Sequence, residues 1–441
     1  MTKIIKDLLI EKLAYKGYGL GFNDSNPVFV TNAVPGDNLD VEISNQKKNV
    51  LFGIISQINS KSEYRIEPYC EAFGDCGGCD WLNIKYDFQL QQKQQIVQEI
   101  FRNISVEKNE FIFASPSQKD YRNKSFFPIG LKDDKPVIGM FARKSHELVT
   151  HKKCALFPDF VDDILKLTTN YLSAAKVAIY DEKTGKGTAR HLGIRYSQAT
   201  GEIIVILVTK TRKIPFTNQF VRVLKEAYPD IVGVVQNINP KQTNVILGDD
   251  EKILFGREYI FEKMEDLKFK LHYKSFFQIN NSVAHEIYKT VKSFINSDKT
   301  IIDAYSGIGS IGMYISNKVK EVVCIENSKA ATEDAKYNAK LNEINNCSFI
   351  CDNVERALPE QCREKQIDTI IFDPPRKGLQ PEVIAAIPDN LGKIIYISCD
   401  PTTQARDVAL LLEKGFKVLF MKSFDMFPQT WHIENLVVLE K

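Results

Sequence analysis

The chain has 441 residues, of which 44% are hydrophobic and 26% charged, and its net charge is +2. This composition is typical of folded domains with apolar cores and argues against a chain dominated by disorder, and the length predicts about two to four domains. The small net charge excludes a basic field over the whole molecule, so any nucleic-acid surface must be a local patch. No apolar stretch reaches the roughly 18 residues of a membrane span, and the N-terminus shows no secretion signal. We therefore expect a cytoplasmic protein without a membrane partner.

Residues 1–58 predict a small OB-like β-barrel. Short alternating strands are separated by turn signals such as PGDN, which is typical of such barrels. Gly17, Gly19 and Gly21 would let a strand bend sharply. Barrels of this kind often bind single-stranded nucleic acid through aromatic and basic residues, although a purely structural barrel is an equal alternative. The candidates for such a surface are Tyr15, Lys16, Tyr18 and Phe22.

Residues 59–260 predict a central α+β domain with one amphipathic helix at YDFQLQQKQQIVQEIFRNI. This segment holds Cys70, Cys76 and Cys79, and Cys154 follows much later. Four thiolates suit a [4Fe–4S] cluster or a structural zinc ion. Zinc sites usually show two C-x2-C pairs, whereas this chain has one. A cluster for radical chemistry needs a C-x3-C-x2-C run, which is absent from this spacing.

Basic residues flank the cysteine segment. Charge runs are usually solvated faces, but beside a small barrel they are candidates for RNA phosphate contacts. These residues are Arg122, Lys124, Arg143, Lys144, Lys152 and Lys153.

Residues 261–441 predict a Rossmann-like, doubly wound α/β domain, because strands and helices alternate regularly. The predicted strands are TIIDAYS, EVVCIEN, CSFICDN, DTIIFDPP, KIIYISCD, FKVLFMKSF and ENLVVLEK. In such sheets ligands bind outside the carboxyl ends of the parallel strands. A polar residue stands at the end of each of the first five strands, and together these residues predict one ligand crevice. They are Asp303, Glu326, Asp352, Asp373 and Cys399.

The turn after the first of these strands, DAYSGIGSIG, contains G-x-G-x-x-G. Alone the motif is weak evidence for a dinucleotide. A carboxylate at Asp303 would crowd a pyrophosphate but suits the amino-acid portion of S-adenosylmethionine, and Glu326 suits ribose hydroxyls. FDPPRKG at 372–378 favours a methyltransferase that acts on a planar base, because its prolines stiffen the backbone beside the substrate.

These motifs resemble, in order, those of the RNA uracil-5-methyltransferase family and its bacterial ribosomal-RNA members. The resemblance rests on SFFQIN, DAYSGIGSIG, IEN, DN, FDPPRKG, SCDP and HIENLVVL. It implies that the barrel is a TRAM domain, that residues 261–441 are a class I S-adenosylmethionine-dependent methyltransferase domain, and that the cysteines hold a [4Fe–4S] cluster. Ser306 stands where this family often has a cysteine, and Trp431 where a small residue is usual.

The resemblance also implies roles for individual residues. Cys399 adds to carbon 6 of uracil, which activates carbon 5 toward the methyl donor, and Arg376 and Lys377 would favour its thiolate. Glu434 removes the carbon 5 proton, and if the last strand is antiparallel its start lies beside Cys399. The cofactor residues are Gln278, Asp303, Tyr305, Gly307, Glu326, Asp352, Asn353 and Asp373, and the cluster ligands are Cys70, Cys76, Cys79 and Cys154.

The predicted function is therefore methylation of carbon 5 of a uridine in RNA, with ribosomal RNA as the expected substrate, transfer RNA as an alternative and no obligatory protein partner. A second enzyme hypothesis is methylation of an exocyclic base nitrogen, in which Cys399 and Glu434 would have no role. A third is a non-catalytic RNA-binding or assembly protein. The intact set of polar residues at the strand ends argues against the third hypothesis.

Overall fold

A computed structural model describes residues 3–441 of the chain. The protein forms two compact units. The first unit consists of the chain up to Pro116 together with Pro374–Leu379 and Tyr396–Lys441, and the second of Ser117–Asp373 together with Gln380–Ile395. The division into domains at 1–58, 59–260 and 261–441 stays a prediction. No helix within residues 3–441 has the length and apolar character needed to cross a membrane.

The first unit begins with the predicted small β domain, whose six strands form one sheet in the order β1-β5-β6-β4-β3-β2. Gly21 is required where two strands approach closely, since a Cβ there would lie 2.4 Å from the Leu9 carbonyl oxygen. Tyr18 is buried against Phe29 and Phe52, so it belongs to the core rather than to an RNA surface. The strands are β1 (Ile4–Leu9), β2 (Lys12–Leu13), β3 (Gly19–Asn23), β4 (Asn26–Val30), β5 (Asn38–Lys47) and β6 (Val50–Ser60).

The predicted amphipathic helix is confirmed as α1 (Tyr86–Ile100), and strand β7 (Val106–Phe113) follows it. One face of α1 is buried, including Phe88, Ile96 and Val97. Apolar residues at this spacing form one stripe of a helix, which explains why this helix could be read from the sequence.

The second unit contains a six-stranded sheet in the order β15-β14-β13-β12-β8-β9 and the two-stranded pairs β10-β11 and β16-β17. Strands β12 and β13 are buried along their whole length. The elements are β8 (Lys124–Lys132), β9 (Lys135–Ile138), β10 (Met140–Phe141), β11 (Leu148–Val149), α2 (Asp159–Ala174), β12 (Ala189–Tyr196), β13 (Ile203–Thr209), α3 (Thr217–Ala227), β14 (Ile231–Ile238), β15 (Asp250–Gly256), β16 (Tyr259–Met264) and β17 (Leu267–His272).

Lys124, one of the candidate RNA phosphate contacts, is half-buried. Its Nζ donates to the Ser275 carbonyl oxygen at 3.3 Å. Burial, with a smaller contribution from Arg195, lowers the pKa of Lys124 to about 7. Its role as an RNA phosphate contact stays a prediction.

The second unit also contains four parallel strands in the order β20-β19-β18-β21. Helices connect them in sequence, as predicted for an α/β fold. The carboxyl ends of parallel strands meet at one edge of a sheet, and this edge carries the cofactor candidates. The elements are α4 (Asn281–Phe294), β18 (Thr300–Ala304), α5 (Ser310–Ile315), a 3-10 helix (Ser316–Lys318), β19 (Glu321–Glu326), α6 (Lys329–Leu341), β20 (Cys347–Cys351), α7 (Val354–Glu364), β21 (Thr369–Phe372) and α8 (Pro381–Ala385).

The chain ends with β22 (Lys393–Ser398), α9 (Pro401–Glu413), β23 (Lys417–Phe424) and β24 (Glu434–Glu440). Within the first unit, β23 pairs antiparallel with β24 and parallel with β7. Phe424 is paired with Glu434 in this register. The candidate base therefore opens the last strand, as the sequence predicted.

Candidate active site

The glycine turn of the second unit follows strand β18. Tyr305, Gly307 and Gly309 have φ angles of 63°, 55° and 73°, a region that is readily accessible to glycine and strained for tyrosine. A Cβ at Gly312 would lie 2.7 Å from the Cys324 sulfur, so helix α5 reaches the sheet only because this residue is glycine. The turn therefore brings backbone amides close to the strand ends.

Asp303 lies beneath this turn and is fully buried. Its Oδ2 accepts a hydrogen bond from the Gly312 amide at 2.9 Å, whereas its Oδ1 has no hydrogen-bond partner. Burial raises the pKa of Asp303 to about 7, the Gly312 amide opposes the rise, and the charges of Asp373 and Glu326 add to it. A buried acceptor without a donor is unfavourable unless a ligand satisfies it. This fits the predicted role of Asp303 toward a cofactor amine.

Glu326 at the end of β19 is fixed by two backbone amides. It accepts from Gly307 at 3.0 Å and from Ser328 at 2.7 Å. A carboxylate has about four acceptor sites, so these two bonds leave others for ribose hydroxyls. The residue thus connects the glycine turn to the start of helix α6.

Four of the predicted cofactor residues line one cavity, namely Gln278, Tyr305, Gly307 and Asp373. Gln278 Nε2 lies 3.5 Å from Asp373 Oδ2, and burial raises the pKa of Asp373 to about 7. Among the lining residues that the sequence prediction missed are Tyr288 and Ser310, whose hydroxyls are 2.7 Å apart. These two residues were hard to recognise from the sequence, because a polar residue on α4 or α5 looks the same there whether its side chain faces a cavity or solvent.

Asp352 and Asn353 follow β20 at the same edge but do not line this cavity. Asp352 accepts from the Asn353 amide at 2.6 Å and forms an ion pair with Arg356. Asn353 is exposed and lies 3.5 Å from the Asn327 side chain. The structure therefore places this pair further along the edge than the other cofactor candidates.

Cys399 belongs to the first unit, where it is half-buried between strand β22 and helix α9. Asp400 caps the helix by accepting from the amides of Thr402 and Thr403 at 3.0 and 3.4 Å, and Pro401 occupies the first helical position. The amide end of a helix carries partial positive charge and favours a thiolate over a thiol. The cap was not among the predicted site residues, although Asp-Pro before a helical run is a known start signal.

Glu434 is placed by a buried amide network within the first unit. Gln404 on α9 donates through Nε2 to the Tyr396 carbonyl at 2.8 Å and to the Asn435 carbonyl at 3.1 Å. The Asn435 side chain returns a hydrogen bond of 2.7 Å to Gln404 Oε1. One amide therefore holds the end of β22 beside the start of β24, and Glu434 is only 3% exposed there.

The loop before Glu434 is anchored to helix α1. Lys93 Nζ lies 2.6 Å from Asp425 Oδ1, and both side chains are fully buried. Tyr86 donates to the other Asp425 oxygen at 2.8 Å, and Gln89 donates to the Gln429 side chain at 2.8 Å. These contacts hold residues 425–429, so the loop that leads to Glu434 is anchored by α1.

The predicted iron–sulfur site is not supported by the structure. Cys70, Cys76 and Cys79 lie in a turn-rich part of the first unit, whereas Cys154 belongs to the second unit. Throughout the described residues 3–441, no group of three or more His, Cys, Asp or Glu side chains is arranged to hold a metal ion. The [4Fe–4S] cluster therefore stays a prediction, and no chemical step is assigned to it.

Comparison with known proteins agrees with this geometry. The model of the tRNA (Uracil-5-)-methyltransferase family matches residues 85–441, and the TRAM domain model matches residues 5–55. An uncharacterized RNA methyltransferase of Bacillus cereus is 34% identical over 99% of this chain and 96% of its own length. A second uncharacterized RNA methyltransferase, from Fusobacterium nucleatum, is 37% identical over 99% of this chain and 96% of its own length.

Among solved structures, the tRNA (uracil-54, C5)-methyltransferase of Pyrococcus abyssi in complex with S-adenosyl-L-homocysteine is similar along its whole length. It is 26% identical, with a TM-score of 0.80, and the match covers 98% of this chain and 99% of that one. The chain belongs to the tRNA (uracil-5-)-methyltransferase family and is an S-adenosylmethionine-dependent RNA methyltransferase with an N-terminal TRAM domain.

Proposed function

We propose that this enzyme methylates carbon 5 of a uridine in RNA, with Cys399 as the nucleophile and Glu434 as the general base. Carbon 5 of uracil is too weak a nucleophile to be methylated directly at a useful rate. Covalent addition of a side chain divides this hard step into easier ones. The residues of the first unit supply both groups that such a reaction needs.

The Cys399 thiolate forms a bond to carbon 6, and the electron pair of the 5,6 double bond moves to carbon 5 and the adjacent carbonyl. S-adenosylmethionine, when bound, supplies the methyl group that carbon 5 takes up. Glu434 then takes the carbon 5 proton, the double bond re-forms, and the bond from carbon 6 to sulfur breaks to return the thiolate. Each side chain ends as it began once Glu434 has released its proton to water.

The observation that carries this proposal is the Gln404 amide, which joins the backbone of Tyr396, three residues before Cys399, to the backbone of Asn435, directly after Glu434. A nucleophile and a base that act on neighbouring atoms of one ring must be held close together. Helix α9 supports the thiolate through its amide end, and Gln404 on the same helix fixes the base. One rigid element thus serves both groups.

The proposed S-adenosylmethionine site is formed by the strand ends of the second unit. Gln278, Tyr305, Gly307 and Asp373 line the cavity, and the unpaired oxygen of Asp303 is a ready acceptor for an amine. Glu326 is held in a position that suits ribose hydroxyls. Asp352 and Asn353 are assigned to the adenine end, because they lie furthest along the strand edge.

We propose ribosomal RNA as the substrate, because the ordered motifs resemble the bacterial ribosomal-RNA members of the family. Transfer RNA is the second candidate. It is favoured by the Pyrococcus abyssi tRNA (uracil-54, C5)-methyltransferase, which matches this chain along 98% of its length. Both substrates require the target uridine to leave its stack, at a cost of a few kcal/mol.

The test uses RNA from a strain that lacks the gene, separated into ribosomal and transfer fractions and incubated with the enzyme and methyl-labelled S-adenosylmethionine. We expect label in 5-methyluridine of the ribosomal fraction, and none with Cys399→Ala. Cys362→Ala is the matched control, since Cys362 is also half-buried but burial raises its pKa to about 11; this variant should retain activity. Label in the transfer fraction would support the second candidate, and label on an exocyclic nitrogen would contradict the proposed chemistry.

A further inference from the structure

The second unit has a further cleft at the carboxyl end of strand β13. Strands β13 and β14 are parallel neighbours, and helix α3 connects them. In such βαβ units ligands bind beyond the carboxyl ends of the strands. The cleft has a volume of about 730 Å³ and is lined by the loop after β13, the start of α3 and one residue each from β14 and β15. Among the described residues, it shares no lining residue with the cofactor cavity.

Three cationic side chains line this cleft, namely Arg212, Lys213 and Lys252, and all three residues are exposed. Arg212 forms an ion pair with Asp250, which also lies on β15. Lys213 and Lys252 take part in none of the ion pairs that residues 3–441 form. The cleft therefore carries a net positive charge and attracts anionic groups such as phosphate.

A buried amide holds the cationic loop in place. Gln236, which is 1% exposed, donates through Nε2 to the carbonyl oxygens of Thr211 and Arg212 at 3.0 and 3.2 Å and to the Thr209 hydroxyl at 2.9 Å. The register of β14 and β15 pairs Gln236 with Lys252, so these two side chains leave the sheet on the same face. The cations are thus presented by a fixed backbone, which lowers the cost of ordering them when a ligand binds.

Phe216 directly follows the cleft-lining residue Pro215 and combines two unfavourable features. It is 65% exposed, and its φ angle of 56° is a left-handed conformation that is strained for a residue other than glycine. Tyr171 donates to the Pro215 carbonyl at 2.7 Å, and the Gln219 amide donates to the Phe216 carbonyl at 3.0 Å. The surrounding contacts therefore impose this conformation. Strain that is kept at an exposed aromatic ring beside a basic cleft indicates a function for the ring.

We propose that this cleft binds a single-stranded segment of the RNA substrate outside the target uridine. The Phe216 ring stacks on one base, and Lys213 and Lys252 contact neighbouring phosphates. Proteins that bind single-stranded RNA combine a basic groove along the backbone with aromatic rings on which bases stack. This cleft offers both features within one short segment. Stacking also covers the exposed ring of Phe216, which accounts for the strain that the fold retains there.

The experiment measures binding of fluorescein-labelled oligoadenylate of about ten nucleotides to the full-length protein by fluorescence anisotropy. This probe contains no uridine, so it reports contacts outside the methylation target. Phe216→Leu keeps an apolar side chain but removes the aromatic face, and it should weaken binding by about five- to fiftyfold. Phe216→Trp should retain the wild-type affinity. Phe111→Leu is the matched control, since Phe111 on β7 is 58% exposed and its φ is not left-handed; it should leave the affinity unchanged.

A second arm measures how the affinity depends on salt. Lys213→Gln and Lys252→Gln should each reduce the slope of log affinity against log salt concentration by about 0.7, because each lost phosphate contact releases fewer counterions. Lys417→Gln is the matched control, since Lys417 is also exposed but begins β23 in the first unit. This variant should leave the slope unchanged.

Phe216→Gly separates a binding role of the ring from a structural one, since glycine adopts the left-handed conformation without strain. This variant should raise the midpoint of urea unfolding and weaken oligoadenylate binding as much as Phe216→Leu does. A lower midpoint for Phe216→Gly, wild-type affinity for Phe216→Leu, or unchanged salt slopes for both lysine variants would each overturn the proposal.

This inference rests on the proposed function only in taking RNA as the substrate. The binding assay needs neither S-adenosylmethionine nor methyl transfer, so the two proposals fail separately. A protein that binds oligoadenylate through Phe216 but methylates no uridine contradicts the proposed function. A protein that methylates uridine normally, and whose Phe216→Leu variant binds oligoadenylate like wild type, contradicts the role of the cleft alone.

Discussion

Replacing Lys93 with methionine should destabilise the first unit strongly. Lys93 Nζ lies 2.6 Å from Asp425 Oδ1 and 3.2 Å from the Phe427 carbonyl oxygen, and neither Lys93 nor Asp425 has an exposed side chain. Burial lowers the pKa of Lys93, while the charge of Asp425 opposes this change. Methionine fills nearly the same volume, so the main effect of the substitution is electrostatic rather than the opening of a cavity.

The size of the stability loss follows from the contacts that Asp425 keeps after Lys93 is replaced. Asp425 would keep its hydrogen bond from Tyr86 at 2.8 Å but lose its only described cation partner. Breaking a buried pair from one side typically reduces the free energy of unfolding by about 3–5 kcal/mol, because an uncompensated charge stays buried. For a folded unit of roughly 150–250 residues this lowers the melting temperature by about 6–20 °C.

The assay is urea and thermal unfolding of the full-length protein followed by circular dichroism. Lys12→Met is the matched control, since Lys12 pairs with Glu99 at 2.5 Å but the two side chains are 40% and 56% exposed. Pairs of that kind contribute about 0–1 kcal/mol. If Lys93→Met and Lys12→Met shift the unfolding midpoint equally, the buried pair does not stabilise the unit and the reasoning is wrong.

Three further predictions concern the site. Glu434→Gln should transfer one methyl group and then stall, leaving RNA attached to Cys399 in a denaturing gel with labelled RNA; absence of any adduct, including with 5-fluorouridine at the target, would contradict covalent catalysis. Asp303→Asn should stabilise the protein without cofactor. Burial raises the pKa of Asp303 in the folded protein to about 7. The wild-type protein therefore loses stability as the pH rises from about 4 to about 7, because the buried carboxyl group must ionise. The stability gained by Asp303→Asn should be about 2 kcal/mol larger at about pH 8 than at about pH 5.5. Calorimetry should show weaker binding of S-adenosylhomocysteine to this variant, and a pH-independent gain would contradict the buried charge. The resemblance to the RNA uracil-5-methyltransferase family predicts that anaerobically purified protein is brown and contains iron and sulfide, both lost in Cys76→Ser. A colourless wild-type protein without iron would contradict the predicted cluster.

The sequence alone determined the features that local chemistry specifies. Apolar runs that alternate with helical segments predicted strands whose carboxyl ends carry Asp303, Glu326 and Asp373. The structure confirms each of these strands. Parallel strands must gather their carboxyl ends at one edge, so the cofactor candidates could be grouped without any contact information. Cys399 was also marked as a polar residue at a strand end, whereas the roles of Cys399 and Glu434 were implied by the resemblance to the RNA uracil-5-methyltransferase family.

Only the tertiary structure decided which distant residues support that site. Lys93 pairs with Asp425 across 332 positions of the chain, and Gln404 reaches the Asn435 carbonyl across 31. Tyr15 meets Trp431 from the opposite end of the sequence. Such pairs leave no local periodicity or spacing, because each partner occupies an ordinary position in its own element. Their geometry exists only after the N-terminal strands, helix α1 and the last strands have packed into one unit.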